Sequence, residues 1–278
     1  MKTLLVLTDF SDAATHAAKY ATIFAKQLMA SRIILFNKLS KIDAIPGTPL
    51  LVDSAYQSRE EAMRQLKRLF HELKFLKHTH TELSYLVKEG KLEELTNELI
   101  TKYQVDYVVM GLTGKSRLEQ TLIGSNTIKI AKTVAKPLLI VPESSKLIPV
   151  SKIASISSLF DLKQAQLIHH LLHPLRQHDT TIELFVLHHE NETHIQQGLH
   201  NHSLAAVKEQ LAPYHPTYVT IGEIDIVRDV LDFCRDQQIS LIVHIEKKRN
   251  FFESIFSTDI TEQIAYVSHV PVLLAKQG

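Results

Sequence analysis

Glycine is scarce in this chain, with eight among 278 residues, against an average usage of about 7%. Each is therefore expected where the backbone takes a positive φ or where a Cβ would collide with a neighbour. Cysteine is nearly missing too. The single Cys234 excludes an internal disulfide, and its setting, Val230-Leu231-Asp232-Phe233-Cys234, reads as a buried helix face with an inert thiol. Net charge is close to zero: 31 Lys and Arg against 30 Asp and Glu leave +1. Nothing draws such a chain generally to nucleic acid or to an acidic membrane. No apolar run approaches the roughly 18 residues of a membrane helix, and Leu4-Leu5-Val6-Leu7 is too short for a secretory leader. The expected location is cytoplasmic, with no nucleic-acid or membrane partner.

Two familiar phosphate loops are missing. A Walker loop requires Gly five residues before Gly114-Lys115-Ser116, and that position holds Val109. The dinucleotide fingerprint Gly-x-Gly-x-x-Gly occurs nowhere. What is present is a cluster. Gly111, Gly114 and Gly124 fall within fourteen residues directly after the apolar run Val108-Val109-Met110. The last of them is followed by Ser125, which opens the periodic stretch Ile128, Ile130, Ala131, Val134. The order is strand, glycine loop, helix start. A helix N-terminus offers free N–H groups and the positive end of its dipole, which favours a phosphate. A plain turn with a Ser helix cap is the alternative reading of the same residues.

Short apolar runs alternate with longer helical patterns through the first half: Leu4–Leu7, helix near 13–29, Ile33–Phe36, helix near 53–74, Leu83–Val87, helix near 91–102, Tyr107–Met110, helix near 125–134, Leu138–Val141. That alternation implies right-handed crossovers and a doubly wound, mostly parallel α/β sheet with helices on both faces. After the polar linker Pro142-Glu143-Ser144-Ser145-Lys146 the same order begins again at Lys152-Ile153-Ala154. The strand ends Lys136-Pro137-Leu138-Leu139-Ile140-Val141 and Val270-Pro271-Val272-Leu273-Leu274-Ala275 correspond at an offset of 134. The chain is an internal duplication, with domains expected over residues 1–144 and 150–278. Carried back, the offset sets Gly111 on Ile245, Gly114 on Lys248, Gly124 on Thr258 and Ser125 on Asp259. The loop is intact in the first half and degenerate in the second, so one ligand per chain is expected.

These residues resemble the universal stress protein family, in its tandem two-domain form. The family's signature is Gly, two residues, Gly, nine residues, Gly, then Ser or Thr, here Gly111, Gly114, Gly124 and Ser125. The opening Val6-Leu7-Thr8-Asp9-Phe10-Ser11 is similar to the family's first strand and turn. The resemblance implies, for each half, a Rossmann-like five-stranded parallel sheet in the order 3-2-1-4-5, flanked by helices. It also implies ATP, or AMP or ADP, with Mg as an accompanying ion. Thr8 and Asp9 would lie near adenine and ribose, and Gly111, Thr113, Gly114, Gly124, Ser125, Asn126 and Thr127 around the phosphates. Helix capping is the alternative role for Asp9 and Ser11. At an offset of 150, Asp9 falls on Leu159, so the second half lacks the acid as well.

Single-domain relatives dimerise, so the resemblance implies an intramolecular pseudo-twofold pair through Leu138–Val141 and Val272–Ala275, with a homodimer as a further assembly. Sixteen histidines invite a zinc reading. The nearest approach to a protease motif, His189-Glu190-Asn191-Glu192-Thr193-His194, spaces its histidines i,i+5, about 140° apart on a helix. They read as surface histidines, and no metal residue is assigned. No Gly-x-Ser-x-Gly elbow or Ser-Gly-Gly-x-Asp-Ser adenylating loop occurs, so no catalytic residue is assigned and ATP turnover near background is expected. Three functions from different classes follow. They are a nucleotide-binding stress or regulatory protein, a scaffold with a vestigial loop, and a weak ATPase.

Overall fold

A computed structural model describes residues 2–39, 50–112, 125–156, 161–176, 181–189, 201–222, 225–246 and 268–277. The chain divides into two compact units, Met1–Glu143 and Ser144–Gly278. In the first, five strands, β1 (Thr3–Leu7), β2 (Arg32–Leu39), β3 (Glu82–Glu89), β4 (Tyr107–Leu112) and β5 (Leu138–Pro142), alternate with α1 (Asp12–Gln27), α2 (Leu50–Lys74), α3 (Leu92–Tyr103) and α4 (Ser125–Thr133). All strand pairs are parallel, and β1 pairs with both β2 and β4, giving the order 3-2-1-4-5. β1 and β5 are buried at every residue, as expected of parallel strands covered on both faces.

The second unit repeats the plan. Its strands are β6 (Lys152–Ile156), β7 (Glu183–His189), β8 (Thr217–Ile221), β9 (Leu241–Glu246) and β10 (Val272–Lys276), with α5 (Leu162–Leu172), α6 (Asn201–Leu211) and α7 (Ile226–Asp236). They pair in the parallel order 8-7-6-9-10. Strand register tests the duplication residue by residue. Val108 faces Leu138 in one unit and Ile242 faces Val272 in the other, which is the offset of 134 read from the sequence. The first strand departs from the expected 150. Leu4 faces Tyr107 and Ile153 faces Leu241, so β1 maps to β6 at an offset of 149. Asp9 therefore maps to Ser158 by strand register, not to Leu159; neither is acidic. The value of 150 belongs to the helix caps, Ser11 and Asp161. The second unit's first loop is one residue longer, which a strand alignment alone does not reveal.

The same positions staple the amino ends of both sheets with different chemistry. Asp106 Oδ2 accepts from the Thr3 N–H at 2.8 Å, and its Oδ1 lies 3.0 Å from Lys2 Nζ. Its counterpart Ser240 uses one hydroxyl to accept from the N–H groups of Ser151 and Lys152 and to donate to the Lys152 carbonyl. A part-buried charge and a buried hydroxyl thus satisfy the same class of strand-end amides.

Positive φ falls mostly on residues other than glycine. Among the described residues, left-handed backbone falls on Phe10, Met29, Gln104, His215 and Gln238, and on one glycine, Gly90. Met29, Gln104 and Gln238 sit at the ends of α1, α3 and α7, where glycine is the usual residue. Gly111 serves the other purpose. A Cβ on it would stand 2.3 Å from the Ala13 carbonyl oxygen and 2.7 Å from the Ala14 nitrogen. The face of α1 that meets the sheet is built from Ala13, Ala14, Ala17, Ala18 and Ala21, all buried, so the helix backbone comes down onto β4. At the equivalent place the second unit buries Ile245.

In the described residues no helix is long and apolar enough to cross a membrane. Gly111→Ala is expected to lower the stability of the first unit by about 2 kcal/mol, since the obstacle is backbone and cannot rotate away. An unchanged urea midpoint would contradict this contact. Gln104→Gly is expected to act in the opposite direction, raising stability by about 1 kcal/mol through relief of left-handed strain. A lower midpoint for that variant would show that the strain is not the governing term.

Candidate functional site

Leu7 pairs with Met110, so Thr8 and Asp9 leave β1 level with Gly111 and Leu112 of β4. Both loops begin at the carboxyl edge of the sheet, where open α/β folds bind ligands. The first loop is held from within. Thr8 is buried; its N–H donates to the Phe36 carbonyl at 2.9 Å and its Oγ1 accepts from the Phe10 N–H at 3.1 Å. The Thr8 carbonyl accepts from the Asn37 amide at 2.8 Å. Asp9 is exposed, and its Oδ1 accepts from both the N–H and the hydroxyl of Ser11, at 3.1 and 2.6 Å. Ser11 in turn caps α1 by accepting from the Ala14 N–H. Phe10, at φ 68°, makes the bend between them.

These bonds decide what the loop can recognise. The N–H groups of Phe10, Ser11 and Ala14 all donate to side chains of the same loop, and Asp12 adds negative charge to the first turn of α1. With those donors engaged and the carboxylates of Asp9 and Asp12 beside them, this helix start is poorly suited to a phosphate. Asp9 Oδ2 has no protein partner among the described residues, so the loop presents a hydrogen-bond acceptor suited to hydroxyl groups. α4 differs: Ser125, Asn126 and Thr127 form its first turn and no acid lies in it. Asn126 is exposed and Thr127 is buried, while Ile130 and the following Val134 face the core. Thr113, Gly114 and Gly124, with Lys115 and Arg117, lie outside the described residues.

The structure brings together Thr8, Asp9 and Gly111, and it assigns two of them structural duties. Gly111 accommodates Ala13, and Thr8 holds the loop to β2. Asn37 is the residue that sequence reading missed. Buried at the carboxyl end of β2, it ties β2 to the β1 loop. Its one visible signal is a lone amide closing the apolar run Ile33-Ile34-Leu35-Phe36.

In the second unit the corresponding edge is tied off differently. The carboxylate of Asp161 caps α5 through the Gln164 N–H and also accepts from the side-chain amide of Gln277, beyond β10, at 3.2 Å. Ser157 to Phe160 lie outside the described residues, as do Lys248, Thr258 and Asp259. So does most of the segment His189–His194. Among the described residues no group of three or more His, Cys, Asp or Glu side chains is placed to hold a metal. His169 instead serves packing, its ring Nδ1 and its carbonyl both meeting the buried Tyr214 hydroxyl, at 3.2 and 3.1 Å. Cys234 is buried, and burial pushes its thiol up to about 12, which leaves it inert at neutral pH.

Universal stress protein MJ0531 of Methanocaldococcus jannaschii is 28% identical over 151 residues, covering 52% of this chain and 84% of its own. Universal stress protein MJ0577 of the same organism is 30% identical over 153 residues, covering 50% of this chain and 94% of its own. In fold, the crystal structure of a universal stress protein from Archaeoglobus fulgidus matches with a TM-score of 0.71 at 14% identity, over 99% of this chain and 98% of the other. The model of the Universal stress protein family matches residues 1–142, more than half of the 278, and the chain belongs to that family.

Proposed function

We propose that the first unit is a nucleotide site, taking one ATP per chain, or AMP or ADP, in a cytoplasmic stress-response or regulatory protein. One observation carries this reading. The spacing of Gly111, Gly114, Gly124 and Ser125 begins at the carboxyl end of β4, level with Asp9, and runs into α4. The division of donors supports it. The β1 loop offers a carboxylate acceptor, suited to ribose hydroxyls, with Thr8 beside it. The phosphates then fall to Gly111, Thr113, Gly114 and Gly124 and to the first turn of α4, Ser125, Asn126 and Thr127, with Mg accompanying them. The second unit has Ile245 for Gly111 and no acid at the position of Asp9, so the stoichiometry is one. The sequence carries no hydrolase elbow and no adenylating loop, and ATP turnover stays near background.

A second reading, a scaffold with a vestigial loop, is favoured by one contact. Gly111 is already required by Ala13, with no ligand needed to explain it. For assembly, we propose that β5 and β10 pair the two units as an intramolecular pseudo-dimer. Spin labels on those strands reading a distance too long for neighbours about 4.8 Å apart would overturn that pairing.

Isothermal titration with Mg-ATP is expected to give one nucleotide per chain, with binding abolished by Gly114→Val. Asp9→Ala is expected to weaken binding about 10- to 100-fold, the value of one hydrogen bond to a charged group. Asn37→Ala should lower affinity with the stoichiometry kept, because it frees the loop that carries Asp9. Absence of any heat with fresh apo protein would make the loop a relic. Robust steady-state hydrolysis that Ser125→Ala removes would instead make the protein an ATPase.

A further inference from the structure

The second unit has a cleft of about 800 Å³ running along α7 at the amino edge of its sheet. Its other walls are the segment from Ser144 to Lys152 and the turn Ser268–Pro271 before β10. Cavities of this size, largely apolar with a few polar groups, hold small organic ligands. One wall is apolar: Val227, Leu231 and Cys234 lie along α7 at i, i+4 and i+7, joined by Ile239 and Val270. Val230 and Cys234 belong to the core, whereas Leu231 is only half-buried and lines the cleft. The rim is cationic. Lys146, Lys152, Arg228 and Arg235 line it against Asp225 and Asp232, a net charge of two positive. Asp232 is shared by Arg228 at 3.7 Å and Arg235 at 2.9 Å, Asp236 outside the lining also meets Arg235 at 3.2 Å, and Glu183 meets Lys152 at 3.5 Å. Lys146 makes no ion pair among the described residues. Ser144 Oγ and His269 Nδ1, 2.8 Å apart, add a polar pair at the same mouth.

An apolar wall open to water is unfavourable in proportion to its area, and a cationic rim around it selects the sign of what covers it. We propose that this cleft binds a small amphipathic anion, an apolar chain or ring system carrying one carboxylate or sulfonate. The apolar body lies along Leu231 and Val227, and the anion meets Lys146 and Arg235. This site is separate from the carboxyl edge of its own unit's sheet, and the inference does not rest on nucleotide binding.

The full chain is titrated with the fluorescent dye anilinonaphthalene sulfonate, then with decanoate as competitor. Expected are one dye per chain, displacement by decanoate, and no displacement by decyltrimethylammonium or Mg-ATP. Leu231→Glu and Arg235→Glu should each weaken dye and decanoate about tenfold or more. Arg235 is exposed, so its replacement tests the charge without threatening the fold. Dye affinity unchanged in both variants would overturn the proposal. So would failure of decanoate to compete, or equal competition by the cationic amphiphile.

Discussion

The first turn of α1 rests on Gly111. The Ala13 carbonyl occupies the space that any side chain at that position would need. Ordinary contact between such atoms is about 3.5 Å, so a methyl group there would lift the helix end by roughly 1 Å. The loop between β1 and α1 is only four residues, Thr8 to Ser11, and each is bonded within it or to β2. So short and fully bonded a loop cannot absorb that shift, and the height of α1 above the sheet fixes where Asp9 stands. Packing and site geometry in this unit are one constraint. The alanines at 13, 14, 17, 18 and 21 are its other half, since a larger side chain facing the sheet would undo the approach from the helix side.

The second unit solves the same fold without that contact. Ile245 is buried in β9 where Gly111 stands in β4, and α5 buries Gln164, Ala165, Ile168, Leu171 and Leu172. The amino-edge staple is kept in position, Ser240 doing with a hydroxyl what Asp106 does with a carboxylate. The carboxyl edge is not kept, and there Gln277 reaches the cap of α5. Sheet and staple therefore determine the fold, while the carboxyl edge varies independently. This follows from where the energy lies. Buried strands such as β4 and β9 contribute to the core whatever leaves their ends, and the loops that leave them are limited mainly by chain closure.

Legibility in the sequence divided along the same line. Leu4–Leu7 and Tyr107–Met110 were readable as strands because a parallel strand covered on both faces is a continuous apolar run. The offset of 134 was readable because Pro137 and Pro271 mark equivalent strand starts, each carbonyl accepting from the neighbouring strand. Asn37 was not readable as a site residue, since its partner, the Thr8 carbonyl, depends on the β1–β2 register. Nor was the extra residue in the second unit's first loop, which shows only when the strand offset and the cap offset are set side by side. The alanines of α1 read as good helix formers; that they form a face for close approach depends on what lies beneath them. The expectation for glycine was half right. Gly111 is a close-approach position, but the positive φ values fell mostly on other residues, Gln104 and Gln238 at equivalent helix ends among them.

Because Ala13 alone accounts for Gly111, the first glycine of the signature does not discriminate between a working loop and a relic. Loss of binding on substituting it would be ambiguous, since lifting α1 would displace Asp9 as well. Gly114 and Gly124 carry the discriminating weight. A glycine in a loop widens the unfolded ensemble and costs about 0.5–1 kcal/mol relative to alanine unless the folded backbone needs it. A chain that places glycine at only eight positions, and passes it over at Met29, Gln104 and Gln238 where the backbone is left-handed, does not use it freely. Two glycines kept within the connection from β4 to α4 therefore argue for a backbone that something must approach closely. A phosphate is the partner that the acid-free first turn of α4 favours.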